Sequence, residues 1–361
     1  MTTPANKHDV TRLEWIDELR GVAALVVVIS HYRALFDPDF KLAILDFLGH
    51  GVQLFYLLSG FILYKLYLNK INSGTKYASF MLRRYFRVAP MFYIATIAQF
   101  ILHPNIYSPS QNMVSHFLIL PMGFNSNFIN GIIGVEWSIF VEFSFYLVFP
   151  IIAWLFQRHK YALLLLSIIL TSLPVVLPRL LNMPKTVWLD VSSYIYFLPS
   201  TQLGFFLVGM LLVDISNSSY LAHIKSSVRN AIFIISVIGI ILTPLATHIM
   251  PMRLYMIGAF LFLAVPIYNS ISKPEFISRF LLWSGQRSYS IYLLHVPLLA
   301  LATPWAKGNE IIVAVLLCAA LLGLSSITYR YIELKGIELG RKIESKLFSM
   351  KTKKLASGGT K

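Results

Sequence analysis

Long, nearly uncharged apolar runs recur along the chain from Gly21 to Tyr329, and they constrain it more than any motif does. About 20 such residues in helical form match the roughly 30 Å hydrocarbon core of a bilayer. The runs are continuous rather than alternating, which points to helices and away from the strands of a β-barrel. Only 13% of the 361 residues are charged, against about 25% in a typical soluble domain. The sequence therefore predicts an all-α integral membrane protein, a bundle of about ten transmembrane helices. The spans are expected at about 17–36, 47–68, 88–106, 135–156, 161–178, 194–213, 230–249, 254–271, 287–305 and 311–330. Met1 to Arg20 is polar and no small-residue cleavage site follows, so the first span is expected to stay in place as an anchor.

Charge sets the expected orientation. An even number of spans puts both termini on one side. If that side is cytoplasmic, every Lys and Arg except Arg33, Lys41, Arg179, Lys185, Arg253 and Lys307 lies on an internal segment, as the positive-inside rule requires. The net charge of +15 then reads as a topogenic signal with attraction for anionic membrane lipid, and no nucleic-acid partner is expected. Cys318 is the single cysteine, so there is no disulfide framework and no thiolate metal site. The nine histidines form no ligand cluster in sequence, and no metal is expected. P-loop, Rossmann and HExxH patterns are absent from the sequence.

The expected organisation is a cytoplasmic N-terminal segment over 1–16, a ten-span membrane domain over 17–330, and a cytoplasmic tail over 331–361. In the tail, Leu339, Ile343 and Leu347 recur among charges, the pattern of a helix lying on the inner membrane surface. Beyond Ser349 the Lys-, Ser- and Gly-rich composition predicts disorder. Residues 69–87 read as a basic cytoplasmic loop. Residues 107–134 read as an external loop without Asp, Glu, Lys or Arg, and its apolar stretch Met113 to Phe124 as a re-entrant or interfacial segment.

Four polar constellations interrupt the apolar background. Arg20 and His31 are separated by eleven residues, so they share a helix face about 16 Å apart. A cation at the membrane edge and an imidazole at depth suggest a path across half the bilayer. Equally, Arg20 suits a positive-inside anchor and His31 an interhelical hydrogen bond. Arg83, Arg84 and Arg87 precede the third span; guanidinium forks grip phosphates, and basic residues at that place are also routinely topogenic. Trp137, Ser138 and Glu142 open the fourth span. The hydroxyl and carboxylate share a face, where a carboxylate could accept a proton from an approaching hydroxyl. Trp137 offers a flat platform for a sugar ring or belongs to the interfacial aromatic belt. Ser288, Tyr292 and His295 form one polar stripe on the ninth span beside Pro297, and interhelical hydrogen bonding is the alternative reading of its hydroxyls. Ser59 and Gly60, with Gly51, read as packing residues.

In this order, the segments resemble the membrane acyltransferase-3 family, bacterial enzymes that O-acylate surface and exported carbohydrates. The resemblance is carried by Arg20-x10-His31; Gly51 through Ser59-Gly60-Phe61; Arg84-x-x-Arg87; Trp137-Ser138-x-x-x-Glu142 with Phe145-Tyr146 and Pro150; and Ser290-x-Tyr292-x-x-His295-x-Pro297. It covers about residues 12–332. Many relatives have a second acidic residue where this chain has Phe143, which puts in doubt any role divided between two carboxylates. The resemblance implies a multi-pass protein of the bacterial cytoplasmic (inner) membrane. It implies an acyl-CoA co-substrate, most simply acetyl-CoA, whose phosphates meet Arg84 and Arg87 with Arg83 and Arg20. It also implies a carbohydrate or lipid-linked glycan acceptor near Trp137, Ser138, Tyr292 and His295, and His31 and Glu142 as the catalytic residues. His31 would then act as general base or carry the acyl group itself. A carrier for an anionic or acylated small molecule is the competing expectation, since buried ionisable groups suit transport as well.

Overall fold

Each apolar run becomes a helix, and glycines decide how closely the helices approach. The computed structural model describes residues 13–36, 43–102, 119, 132–184, 195–216, 223–247 and 250–357. The helices are α1 (Glu14–Tyr32), α2 (Gly51–Tyr67), α3 (Gly74–Leu102), α4 (Trp137–Leu180), α5 (Pro199–Ser216) and α6 (Ser226–Ala246). They continue as α7 (Met250–Tyr268), α8 (Glu275–Gln286), α9 (Ser288–Ala306), α10 (Glu310–Thr328) and α11 (Leu334–Ser357). A 3-10 turn over Ala43–His50 leads into α2, and a π turn over Tyr329–Glu333 joins α10 to α11. There is no strand among the described residues.

Among the described residues, eight helical stretches are long and apolar enough to cross a membrane: Phe47–Tyr67, Gly74–Leu102, Trp137–Leu173, Pro199–Ser216, Ser226–Ala246, Pro251–Tyr268, Ser288–Ala306 and Glu310–Phe348. The ten expected spans reduce to these for two reasons. The first span is helical, but its N-terminal half carries Glu14, Asp17, Glu18 and Arg20. The fourth and fifth are the two arms of α4, bent at His159, whose φ of −136° and ψ of 40° leave the helical region. Outward-facing side chains such as Ile97, Ile101, Leu165, Ile235, Ile312 and Leu316 are exposed, a surface suited to lipid rather than water.

Helices α2 and α5 meet backbone to backbone. A Cβ on Gly60 would lie 2.1 Å from the Phe206 carbonyl oxygen, and one on Gly209 would lie 1.9 Å from that of Leu57. The approach lets Tyr56 stack on Phe206 at 4.8 Å, with Phe145 stacked on the same ring at 4.0 Å. Helices α1 and α8 repeat the device, with Gly21 against Leu281 and Gly285 against Asp17. With little hydrophobic drive between helices in lipid, such close contacts carry the packing.

Beside that second contact, the buried Glu18 of α1 accepts from Lys273 Nζ at 2.6 Å, Tyr268 OH at 2.8 Å and the Ser278 hydroxyl. It ties α1 to α7, to α8 and to the turn between them. Removing one member of a buried pair strands the other. Glu18→Ala is therefore expected to cost about 3 kcal/mol, read as a lower thermal midpoint in detergent, with Glu18→Leu/Lys273→Met recovering part of it.

Two expected boundaries move. Residues 69–87 form a loop only as far as Ser73: α3 is helical from Gly74, because Lys and Arg end an apolar window without ending a helix. In the tail, α11 continues to Ser357, into the stretch expected to be disordered. It packs on α3 through Gly336 and Gly340 against Phe86, while Leu339 and Leu347 face outward. The expected re-entrant segment Met113–Phe124 lies outside the described residues except for Ile119.

Candidate active site

The shared face of Arg20 and His31 is turned onto α9. Arg20 directs Nε and one terminal nitrogen to Ser288 Oγ, both at 3.4 Å, and its guanidinium lies 5.7 Å from the centre of the Phe55 ring. Eleven residues further along α1, the His31 ring meets that of His295 edge to face, 4.8 Å between centres. The two contacts fall in the same order along both helices, so α1 and α9 run in the same direction.

Each imidazole is held by its own helix. His31 Nδ1 lies 2.9 Å from the Val27 carbonyl oxygen and His295 Nδ1 lies 2.5 Å from that of Tyr292. A carbonyl oxygen only accepts, so in both rings Nδ1 carries the proton and Nε2 keeps its lone pair. His31 is partly buried, His295 is fully buried, and His295 Nε2 has no hydrogen-bond partner among the described residues.

Below the pair lies a cavity of about 40 Å³, lined by Arg20, Phe55, Ser138, Glu142, Tyr289 and Tyr292 among others. It is large enough for an ordered water. Ser138 Oγ and Tyr292 OH are 2.7 Å apart, and both also bond the Val135 carbonyl oxygen, at 3.0 and 3.1 Å. Glu142 Oε1 accepts from Ser59 Oγ at 2.5 Å and from the Tyr146 hydroxyl. Its hydrogen-bond partners among the described residues are thus two hydroxyls, and an apolar side chain, Phe143, follows it in the chain. Trp137 is half-buried and sits among Tyr56, Tyr196 and Phe197, which meet it edge-on or tilted. His31 is not among the residues lining the cavity. It reaches it through His295, whose ring centre is 5.6 Å from that of Tyr292.

The three arginines before the third expected span separate. Arg83 is bound to Glu344 of α11 at 2.6 Å. Arg84 is buried, with its guanidinium 5.2 Å from the Tyr67 ring, 5.5 Å from Phe80 and 5.3 Å from Tyr146, a cation–π cage that suits the weakly hydrated guanidinium. Arg87 alone of the three lines an open cleft of about 620 Å³, together with Asp17, Glu333, Glu338 and Arg341.

Several residues of the site were not singled out in the sequence. Sequence alone makes Ser59 a packing residue like Gly60; Gly60 does pack, but Ser59 donates to Glu142. Glu333, 4% exposed, accepts from Ser290, which itself accepts from Thr328 at 2.9 Å. Its place in a π turn, a geometry enriched at functional sites, leaves no mark in residue spacing. Glu136, 1% exposed, accepts the backbone N–H groups of Ile132 and Ile133 at 2.8 and 2.9 Å and so fixes the turn ahead of Trp137. Its signal was an acidic residue directly before an apolar run, where a helix start favours negative charge.

Fold and site together define a class: a multi-pass membrane protein with a spine of ionisable and hydroxyl side chains inside its helices. The family follows from comparison. A model of the acyltransferase-3 domain, described as an acyltransferase domain, matches residues 13–330, and the chain belongs to that family. It is similar to the peptidoglycan O-acetyltransferase OatA of Listeria monocytogenes, at 28% identity over 359 residues, covering 88% of this chain and 54% of that protein. It is also similar to the O-acetyltransferase OatA of Staphylococcus aureus, at 26% over 362 residues, covering 89% of this chain and 56% of that protein. A shorter likeness, 26% over 184 residues and 44% of this chain, is to nodulation protein 10 of Rhizobium leguminosarum bv. viciae. The chain spans about half the length of the curated relatives it matches over most of its residues. No solved structure matches it.

Proposed function

We propose that the chain transfers an acetyl group from cytoplasmic acetyl-CoA to a hydroxyl of a carbohydrate at the external face of a bacterial cytoplasmic membrane. The observation that carries this reading is His31: its Nδ1–H is held by the Val27 carbonyl, which leaves Nε2 as a lone pair inside the bundle. A general base needs that arrangement. In the reaction, the acceptor oxygen attacks the thioester carbonyl while its proton passes to His31 Nε2. The C–O bond forms, the C–S bond breaks, and the proton returns from His31 to the departing thiolate. A neutral acyl-histidine would instead require Nδ1 to give up the proton that bonds Val27, which favours the base over the acyl carrier. Arg87, lining the wide cleft, would meet the CoA phosphates there, with Arg83 at its rim. Arg20 would guide the thioester end towards the cavity. Arg84 would act through Tyr146, which shares the Arg84 cage and donates to Glu142. Glu142, Ser138 and Tyr292 would hold the acceptor hydroxyl, and Trp137 would close the cavity on the acceptor's side.

The shared direction of α1 and α9 fits the ten-span count, and the distribution of Lys and Arg makes the side of both termini the cytoplasmic one. An odd number of spans must lie between two helices that run the same way, and counting both arms of α4 places seven between α1 and α9. The peptidoglycan named for the Listeria relative makes a cell-wall or other surface glycan the acceptor to examine first. Cells with the gene deleted are expected to lose ester-linked acetate from one surface glycan and to regain it on complementation. An unchanged acetate content in every glycan fraction would refute the proposal.

A further inference from the structure

The wide cleft has walls of two origins. Arg87 comes from α3, while Glu338 and Arg341 come from α11, beyond residue 330 where the family match ends. Its carboxylates are engaged. Glu338 holds Lys342 at 2.8 Å and Lys335 at 3.5 Å, Glu333 accepts from Ser290, and Asp17 lies one turn before Arg20 and in its field. Its two guanidiniums are not: neither Arg87 nor Arg341 has a hydrogen bond or ion pair among the described residues. Two unpaired forks that line one cleft suit phosphate groups.

The packing of α11 sets the order of the two cations. Phe86 meets Gly336 and Gly340, and Ser79 and Arg83 both meet Glu344, so α11 runs antiparallel to α3. By that register Arg87 is level with Ile337 and Glu338, and Arg341 lies about one helical turn, about 5 Å, further along. The Glu333 end of α11 is the one nearest the inner cavity, because Glu333 bonds Ser290 and the neighbours of Ser290, Tyr289 and Tyr292, line that cavity. Arg87 is thus the inner cation of the cleft and Arg341 the outer one. Arg83 is tied to Glu344.

We infer that Arg341 binds the 3′-phosphate of acetyl-CoA while Arg87 binds its pyrophosphate, so that α11 forms the outer wall of the donor site. The inference rests on the reading of acetyl-CoA as donor. CoA carries its anionic groups in a fixed order. When the thioester end leads towards the cavity, the pyrophosphate follows, and the ribose with its 3′-phosphate comes last. The order of the two arginines matches. Arg341 is exposed, as a residue at the mouth of a site that fills from the cytoplasm must be.

The test uses inverted membrane vesicles that contain the full chain and the cell's own glycan, supplied with radiolabelled acetyl-CoA or 3′-dephospho-acetyl-CoA. The quantities measured are the KM for each donor and the maximal rate of acetate ester formation. Wild type is expected to show a KM about tenfold higher for the dephospho donor, the lower end of what a hydrogen bond to a charged group contributes. Arg341→Gln is expected to raise the KM for acetyl-CoA by the same factor and to leave that for the dephospho donor as in wild type. Its maximal rate stays the same, the mark of binding lost equally from ground and transition states. Arg87→Gln is expected to raise both KM values. Three outcomes would overturn the inference: a wild type that does not distinguish the donors, an Arg341→Gln variant that raises both KM values equally, or one that raises neither. The last is the result for an arginine that meets anionic lipid headgroups instead. No transfer of label from acetyl-CoA by wild type would overturn the reading beneath it.

Discussion

His31→Ala is expected to abolish acetate transfer, a loss on the order of 10²–10⁴-fold, in protein that reaches the membrane in normal amounts. The size of the effect follows from position. Among the described residues the His31 side chain hydrogen-bonds only to its own helix, through Nδ1 to Val27 at 2.9 Å, so its removal leaves α1 intact. The contacts that seat α1, Gly21 on Leu281 and Glu18 on Lys273, lie further down the helix and are untouched. Two measurements decide the point together: ester-linked acetate in the surface glycans, and the yield and thermal midpoint of the detergent-extracted protein. Full acetylation in the variant would remove His31 from the chemistry. A radiolabelling experiment separates its two possible roles. With acetyl-CoA and no acceptor, a general base leaves no label on the protein after quenching, whereas an acyl carrier leaves it on a histidine.

The second large effect is on stability. Gly209→Ala is expected to cost about 3 kcal/mol or more, at the upper end of what overpacking a core does. The added methyl would meet the Leu57 carbonyl oxygen at 1.9 Å and the Phe61 amide nitrogen at 2.9 Å. Both are backbone atoms in a helix and neither can turn aside, so α2 and α5 must separate. Their separation would break the 3.1 Å bond from Gln53 to Gln202 and pull apart the Tyr56–Phe206 stack. It would also move Ser59 off Glu142, so activity falls with stability. Gly258→Ala is the matched control: its nearest neighbour is a Phe205 ring carbon at 3.6 Å, an ordinary contact, and its thermal midpoint is expected to stay within error of wild type. Equal midpoints for the two variants would show that the α2–α5 contact is not a close one.

What could be read from the sequence was whatever a single helix determines. The common face of Arg20 and His31, the Ser138–Glu142 pair and the Ser288–Tyr292–His295 stripe all follow from 3.6 residues per turn, and the structure brings all three stripes together at or beside one cavity. Partners from other helices were hidden. Nothing around Ser59 announces Glu142, 83 residues away, and nothing around Glu333 announces Ser290. The arginine cluster shows the same limit from the other side. Spacing alone put Arg83, Arg84 and Arg87 in one group, but α11 takes Arg83, an aromatic cage takes Arg84, and only Arg87 faces the cleft. Helix boundaries failed where charge and helix propensity disagree, at Gly74 and again beyond Phe348, because hydropathy registers the first and is blind to the second.

The π turn at Tyr329–Glu333 has a consequence for the last third of the bundle. A π turn accommodates one residue more than the α-helical ladder would, and one residue is worth about 100° of rotation about the helix axis. That single step sets the azimuth of everything after it. It lets Glu333 point inward to Ser290, and it turns Gly336, Gly340 and Glu344 towards Phe86, Ser79 and Arg83. Regularising the turn by deleting one residue would leave α10 in its place among the apolar helices and swing α11 about a third of a revolution, off α3. The join between the membrane bundle and its closing helix is in that sense a keyed coupling, cut for one angular setting.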